Sequence, residues 1–135
     1  MIHIKKADYL QMLFHARACL PEEACGLLAG RSCGEEAWVE KLYLLENTDH
    51  SHTHFTITPE EQLKAILDMR DHHLEQLGNW HSHPETPSRP SPEDISLAMD
   101  PTASYLILSL AEDEPVLRAF RIQVGKVSQE ELKLE

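Results

Sequence analysis

Short apolar runs that are typical of strands alternate with helical segments along this chain, and this alternation is what most restricts its fold. Strands and helices each bury one face, so an interleaved series of them packs in layers. The sequence therefore predicts an α/β (α+β) sandwich, in which a mixed β-sheet is flanked by helices. With 135 residues, of which 41% are hydrophobic, the chain can build one such core and not two, so we expect residues 1–135 to form a single domain.

Seven segments have the apolar character and the flanking turn residues of strands. They are residues 2–4, 25–31, 38–45, 53–57, 79–81, 104–110 and 116–124, and residues 126–132 have a weaker pattern. A first helix is expected over residues 6–19, because apolar residues recur there at spacings of three and four. These residues are Ala7, Leu10, Phe14 and Ala18.

A second helix has a clear start signal. From Thr58 to Glu61 the sequence combines a capping hydroxyl, a first-turn proline and a third-position glutamate. Its expected apolar face consists of Leu63, Ile66, Leu67, Leu74 and Leu77, and Gly78 is expected to end it. A shorter helix is expected from Ser91 to Pro101.

The charge of the chain excludes two classes of partner. Acidic residues outnumber basic residues by 23 to 12, which gives a net charge of −11. Nucleic acids and anionic membranes attract basic faces, so neither is expected to bind. No apolar run approaches the length of a bilayer span, and residues 1–6 lack the apolar stretch of a signal peptide. We expect a cytoplasmic protein.

Histidine is concentrated in one part of the chain. Seven of the nine histidines fall between His50 and His83, whereas the three cysteines form no Cys-x-x-Cys pair. The cysteines therefore argue against a disulfide framework or a four-cysteine zinc site, and the histidines become the main candidates for chemistry.

A metal site is one interpretation of the segment from His81 to Asp94. Side chains two apart on an extended chain point to one face, so His81 and His83 can both reach a single ion. Asp94 follows eleven residues later, after a proline-rich loop. Two imidazoles and a carboxylate are the ligands of a catalytic zinc, which keeps its fourth position open.

The same residues have a second interpretation. His-x-His occurs by chance in a histidine-rich chain, and the segment from Ser91 to Asp94 is also a good helix start. The two interpretations of Asp94 are compatible, because a carboxylate in a first helical turn is well placed to face outward.

The spacing of these residues resembles the metal motif of the JAMM (MPN+) metalloproteases. That motif reads His81-x-His83, seven residues, Ser91, two residues, Asp94. The family also has a glutamate three residues before a glycine at the start of an apolar strand, which matches Glu23. The resemblance extends over nearly the whole chain, and its Glu-Ala-Cys-Gly-Leu-Leu form is similar to the prokaryotic branch.

The resemblance implies a JAMM/MPN-type fold, similar to the cytidine-deaminase-like fold, and a zinc peptidase or isopeptidase activity. It implies one Zn²⁺ per chain, bound by His81, His83 and Asp94. Glu23 would be the general acid and base, and Ser91 would stabilise the oxyanion. The implied substrate is a ubiquitin-like β-grasp protein of the sulfur-carrier type, cleaved after its C-terminal Gly-Gly.

Two other functions are compatible with these residues. One is a non-catalytic MPN-type module that binds proteins, and the other is a zinc hydrolase of small amides. A thiol protease using Cys25 is a weaker alternative, because this cysteine lies in an apolar run where a buried, inert thiol is expected.

The remaining histidines are weaker candidates for chemistry. His50, His52 and His54 alternate along the chain and either bind a second metal or, as we expect, form a polar stretch beside the substrate groove. Residues 47–56 resemble the variable region that flanks this groove in the family. His72 and His73 are expected to face solvent on the second helix.

Overall fold

A computed structural model describes all residues from 1 to 135. It contains one eight-stranded sheet and three helices. The strands are β1 (Ile2–Ile4), β2 (Cys25–Cys33), β3 (Glu36–Leu45), β4 (Glu75–His83), β5 (Ser104–Ser109), β6 (Val116–Gln123), β7 (Lys126–Glu130) and β8 (Leu132–Leu134). The helices are α1 (Lys6–Cys19), α2 (Pro59–Asp71) and α3 (Pro92–Leu97). None of the helices has the length and apolar composition needed to cross a bilayer.

The sheet is mixed, as the sequence predicts. Its strand order is β7-β6-β5-β4-β2-β3-β1-β8. Three neighbouring pairs are parallel, namely β1 with β3, β1 with β8 and β4 with β5. The other four pairs are antiparallel. Strand β4 therefore lies in the interior of the sheet, with β2 and β5 on its two sides.

Helices cover both faces of the sheet, which confirms the layered architecture. Successive residues of β2 point to opposite faces. Leu28 packs with Met12 of α1 in the larger cluster, whereas Leu27 packs with Met69 of α2 in the smaller one. Trp80 belongs to the larger cluster and donates a buried hydrogen bond from Nε1 to the carbonyl of Tyr43 at 3.1 Å.

The predicted bounds of α1 are correct, but the predicted apolar face is wrong. Leu10 and Phe14 are 50% and 79% exposed, and the other two residues of that face are also exposed. The buried residues are Met12, Leu13 and Ala16. Both sets recur at spacings of three and four, so the periodicity does not determine which of them meets the sheet.

Helix α2 begins at the predicted residue and ends earlier than predicted. Thr58 caps it by accepting a hydrogen bond from the amide of Glu61. Its end is a Schellman-type turn, in which His73 adopts a φ of 57° and the amide of Leu74 bonds the carbonyl of Met69. The chain then enters β4 at Glu75, so Leu74 and Leu77 do not belong to the helix.

Three other elements differ from the sequence prediction. Residues 53–57 form no strand. Helix α3 ends at Leu97, well before Pro101, and buries none of its residues. The short strand β8 was not predicted, and it pairs in parallel with β1 at the edge of the sheet.

Candidate active site

Strands β2 and β4 bring the predicted site residues together. They pair antiparallel as far as His81, and the pairing continues past the start of β2. There the amide of Ser82 donates to the carbonyl of Ala24 at 2.9 Å, and the amide of Ala24 donates to the Ser82 hydroxyl oxygen at 2.8 Å. This register places Glu23 across from His83, on the face of the sheet that α2 covers.

Three side-chain atoms converge at the end of β4. The Nε2 atoms of His81 and His83 are 3.1 Å apart, and Oδ2 of Asp94 lies 3.2 Å and 3.3 Å from them. Ligands about 2.0–2.1 Å from a tetrahedral zinc are separated by about 3.3–3.4 Å, which is close to these distances. The donor set and its spacing therefore fit zinc, and no other group of three or more such side chains converges in the protein.

The first turn of α3 orients the carboxylate. Asp94 and Ser91 form a reciprocal capping box. The amide of Ser91 donates to Oδ2 of Asp94 at 2.9 Å, and the amide of Asp94 donates to the Ser91 hydroxyl oxygen at 3.1 Å. The helix-cap interpretation of these residues is therefore correct, and it is the capped conformation that turns Oδ2 towards the two imidazoles.

A hydrogen bond fixes the orientation of the His83 ring. Its Nδ1 lies 2.9 Å from the carbonyl oxygen of Pro87, and only a protonated nitrogen can bond that acceptor. The lone pair of neutral His83 is then on Nε2, the atom that faces the site. The loop carrying Pro87 is itself attached to β5, through bonds from Ser88 to the carbonyl of Ile107 and from Ser109 to the carbonyl of Thr86.

The His81 ring is held by packing. Its Nδ1 is buried and has no hydrogen-bond partner. The ring of Phe55 lies against it, with the ring centroids 4.8 Å apart and the planes inclined by 29°. An aromatic side chain from the segment before α2 therefore contacts one member of the candidate metal group.

Glu23 is a buried acid close to this group. Its side chain is 3% exposed, and Oε1 has no hydrogen-bond partner. Burial raises the pKa of Glu23 to about 7, the positive charge of His83 lowers it, and the carboxylates of Asp94 and Glu93 raise it further. A carboxyl group with a pKa near neutrality can both accept and release a proton at neutral pH.

Asp94 remains ionised in the metal-free site. Burial alone would raise its pKa, but hydrogen bonds from His81 and His83 hold the pKa of Asp94 well below its usual range. Burial likewise lowers the pKa of His83, yet the hydrogen bonds to Asp94 and to the Pro87 carbonyl raise it overall. The carboxylate is thus available as an anionic ligand at neutral pH.

Neighbouring residues do not share this environment. Glu22 is half-exposed, and its Oε2 lies 3.3 Å from Nδ1 of His50. Of the two adjacent acids, Glu23 is the one that is buried and whose pKa is raised by its surroundings. Cys25 is fully buried, and burial raises the pKa of its thiol to about 12, so it provides no thiolate for a thiol protease.

The three alternating histidines do not converge. His50 lies beside Glu22 and Glu46, His54 lies beside Asp49, and His52 is exposed. They form no metal group. The polar stretch that we expect at residues 47–56 therefore matches the structure, although it is irregular rather than a strand. His72 and His73 are exposed just after α2.

Sequence reasoning missed three residues that support the site: Asn47, Phe55 and Ser82. Asn47 has a local signal, because asparagine at the end of a strand is typical of turns. The position of Ser82 between two candidate ligands draws attention to it but does not indicate its bond to Ala24. No pattern in the sequence indicates that Phe55 reaches His81.

Two cavities adjoin the site. A cavity of 70 Å³ lies between the segment before α2 and helix α3, and its lining includes Phe55, His81, Leu97 and Tyr105. A cavity of 270 Å³ lies on the Glu23 side, where its lining includes His15, Glu23, Asn47 and His50. One cavity thus reaches His81 and the other reaches Glu23.

Comparisons with known proteins show a family model and several proteins to which the chain is similar. A family model described as prokaryotic homologs of the JAB domain matches residues 5–123. The chain is similar to the CysO-cysteine peptidase of Mycobacterium tuberculosis, with 35% identity over 127 residues that cover 93% of this chain and 86% of that protein. It is also similar to the desampylase of Pyrococcus furiosus, with 33% identity over 87 residues, or 64% of this chain and 59% of that protein.

Solved structures share the fold. A protein of Desulfitobacterium hafniense has 52% identity and a TM-score of 0.92, with coverage of 100% of this chain and 93% of that one. A JAB1/MPN domain protein of Archaeoglobus fulgidus has 20% identity and a TM-score of 0.66, with coverage of 99% and 97%. The expected JAMM/MPN-type fold is confirmed.

The buried acid predicts a pH-dependent difference in stability between the metal-free wild-type protein and Glu23→Gln. Below pH 4.5 the carboxyl is protonated in both the folded and the unfolded wild type, so its ionisation adds no difference. Between pH 4.5 and about 7 only the unfolded chain ionises it, and the wild type loses stability as the pH rises. From pH 4.5 to above pH 7, the stability of the variant relative to the wild type should rise by roughly 1–3 kcal/mol.

Thermal unfolding of both proteins in a chelator, from pH 4.5 to 8.5, measures this difference. Glu22→Gln is the matched control and should follow the wild type, since Glu22 is half-exposed. A Glu23→Gln difference that does not change with pH would contradict the assigned environment of the carboxyl group.

Proposed function

Since the chain belongs to the prokaryotic homologs of the JAB domain and is a hydrolase of the JAMM type, we propose that it is a zinc peptidase that hydrolyses the amide bond after the C-terminal Gly-Gly of a ubiquitin-like sulfur-carrier protein. The observation that carries the proposal is the convergence of His81, His83 and Asp94 beside the buried acid Glu23. One domain, residues 1–135, holds all of these residues.

His81, His83 and Asp94 would hold one zinc ion per chain. Both imidazoles present Nε2 to the same point, and the capping box presents Oδ2 of Asp94. When bound, zinc supplies Lewis acidity that polarises a carbonyl group and lowers the pKa of water. With three protein ligands, the site keeps a position open for chemistry.

Glu23 would move the proton in this reaction. Its carboxylate accepts a proton from the attacking water and passes it to the departing amine. Burial supports the first step, because it raises the pKa of Glu23 in the metal-free site and so makes the carboxylate a better proton acceptor. The unpartnered Oε1 supports the same role, since no protein group competes for it.

Ser91 would stabilise the oxyanion. Its hydroxyl oxygen accepts the helix-capping hydrogen bond from the amide of Asp94, and its own proton is left for another acceptor. Because this hydroxyl is held by the amide of Asp94, a member of the metal group, it would donate to the negative charge that develops on the substrate oxygen, a contribution worth about 2.7–4 kcal/mol in known enzymes.

The substrate class is supported by relatives and by the shape of the site. The similar proteins are a CysO-cysteine peptidase and a desampylase. The cavity beside His81 has a volume of only 70 Å³, and glycine lets a backbone approach a metal closely where larger residues cannot. An extended tail ending in Gly-Gly fits such an approach, with an attached amino acid such as cysteine as the leaving group.

Two alternative functions make different predictions. A non-catalytic binding module has no need of the metal group or of a buried acid, and both are present here. A hydrolase of small amides would use the same groups but would not require a carrier protein. Turnover of a protein substrate compared with a small one separates these functions.

The first prediction of the proposed function concerns the metal. Protein purified without chelator should contain close to one zinc per chain, and alanine at His81, His83 or Asp94 should remove it. Affinity should fall as the pH is lowered through the raised pKa of His83, because both imidazoles must be neutral to bind. Elemental analysis measures this, with His52→Ala as a control at an exposed histidine. Full zinc content in all three variants would exclude the assigned ligands.

The second prediction separates metal binding from chemistry. Glu23→Gln should retain zinc and the fold but lose at least ~10²-fold in kcat, because an amide cannot accept the proton. Glu22→Gln, one residue away, should keep nearly full activity. If Glu22 proves essential and Glu23 dispensable, the catalytic acid has been assigned to the wrong residue.

The third prediction concerns the substrate. A ubiquitin-like sulfur carrier bearing a short extension after Gly-Gly should be cut immediately after the second glycine, as seen by intact mass. A copy with Ala-Ala in place of Gly-Gly should be cut at least ~10-fold more slowly, because two methyl groups obstruct the narrow approach. Equal cleavage of both carriers, or cleavage of small amides alone, would refute the carrier while leaving a zinc hydrolase.

A further inference from the structure

The segment of residues 47–56 contacts both halves of the site. One end carries Asn47, whose side chain is buried with 7% exposure. The other end carries Phe55, whose ring lies against His81. Between them, His50, His52 and His54 are exposed. We call residues 47–56 the bridging loop.

The amide nitrogen of Asn47 connects this loop to the candidate catalytic acid. Its Nδ2 donates to the carbonyl of Glu23 at 3.0 Å and to the carbonyl of His54 at 3.1 Å. The two acceptors belong to segments about thirty residues apart in the chain. A single side-chain amide group therefore holds the backbone of Glu23 against the bridging loop.

The oxygen of the same side chain shapes the loop itself. Oδ1 accepts from the amide of Asp49 at 3.1 Å and from the amide of Thr56 at 3.2 Å. Both ends of the bridging loop thus meet at one residue. The four bonds use the full hydrogen-bonding capacity of a planar amide, which a carboxylate or a hydroxyl of similar size cannot reproduce.

The backbone of Glu23 depends on this arrangement. Its amide donates to the carbonyl of Ser51 at 2.7 Å, and its carbonyl accepts from Asn47. Strand β2 starts only at Cys25, so Glu23 precedes the ladder that fixes the strand. The polar groups of its backbone are satisfied by the bridging loop instead.

We propose that Asn47 is a positioning residue for the hydrolytic reaction, and this rests on the proposed role of Glu23. Its amide holds the Glu23 backbone so that the carboxyl group stays across from His83. The bridging loop joins this acid to the ring of His81 through Phe55. Displacement of a catalytic group by about 1 Å can cost ~10²-fold in rate, which sets the scale of the expected effect.

Asn47→Asp is the sharpest variant, because it keeps the oxygen that accepts from Asp49 and Thr56 and removes the donor to Glu23. We expect the zinc-loaded variant to cleave the extended Gly-Gly carrier with kcat lowered by about 10–100-fold. KM should stay within about threefold and the zinc content should be unchanged. The matched control is Asp49→Asn, which disturbs the bond between Asp49 and the Thr56 hydroxyl in the same loop and should retain nearly full kcat.

Amide hydrogen exchange tests the same contact without activity. In the metal-free wild type, the amides of Glu23, Asp49 and Thr56 should open together, with one free energy of opening. The amides of Asp49 and Thr56 donate to Asn47 directly, and the amide of Glu23 donates to Ser51 of the loop that Asn47 holds. In Asn47→Asp the Glu23 amide should exchange at least about tenfold faster, while the amide of Leu27 in β2 keeps its protection. A merely stabilising residue would instead speed exchange throughout the sheet.

The outcomes separate the two proposals. If Asn47→Asp retains full kcat, or if the Glu23 amide of the wild type exchanges with Leu27 and independently of Asp49 and Thr56, the positioning role is refuted. The wild-type measurement decides even if the variant does not fold. If Glu23→Gln is fully active, the role of Glu23 fails, whereas the exchange experiment still shows whether Asn47 holds its backbone.

Discussion

The antiparallel pairing of β2 with β4 is the constraint on which the site depends. It sets Glu23 across from His83, although sixty residues separate them in the chain. The last contact of this pairing uses the Ser82 hydroxyl in place of a backbone carbonyl. A shift of the register by one residue would turn Glu23 to the other face of the sheet, so strand pairing and the chemistry of the site are determined together.

Burial explains why the ionisable residues of the candidate site affect one another so strongly. Four ionisable side chains share a small region: Glu23, His81, His83 and Asp94. Water does not screen buried charges effectively, so each group responds to the others. Asp94 is kept ionised by its bonds to the imidazoles, whereas Glu23, which lacks such bonds, has a pKa of about 7. Two carboxyl groups in one site thereby differ in their affinity for a proton.

The sequence predicts those parts of the fold and site that depend on local spacing. The spacing of His81 and His83 predicts that their side chains meet, and they do. The capped starts of α2 and α3 are also local patterns, and both helices begin at the predicted residues. The buried face of α1 was not predictable, because Leu10 and Met12 belong to two apolar sets of equal periodicity. The contact between Asn47 and Glu23 joins residues 24 positions apart, and only the folded chain brings them together.

Helix α3 is six residues long and buries none of them, so packing contributes little to its order. An isolated helix of this length is unstable in water, and the capping box between Ser91 and Asp94 is its main local support. Because the same Asp94 oxygen faces the two imidazoles, an ion held by these three residues would couple its occupancy to the order of the helix. By thermodynamic reciprocity, such an ion would favour the ordered turn, and unwinding of the turn would weaken ion binding by the same factor.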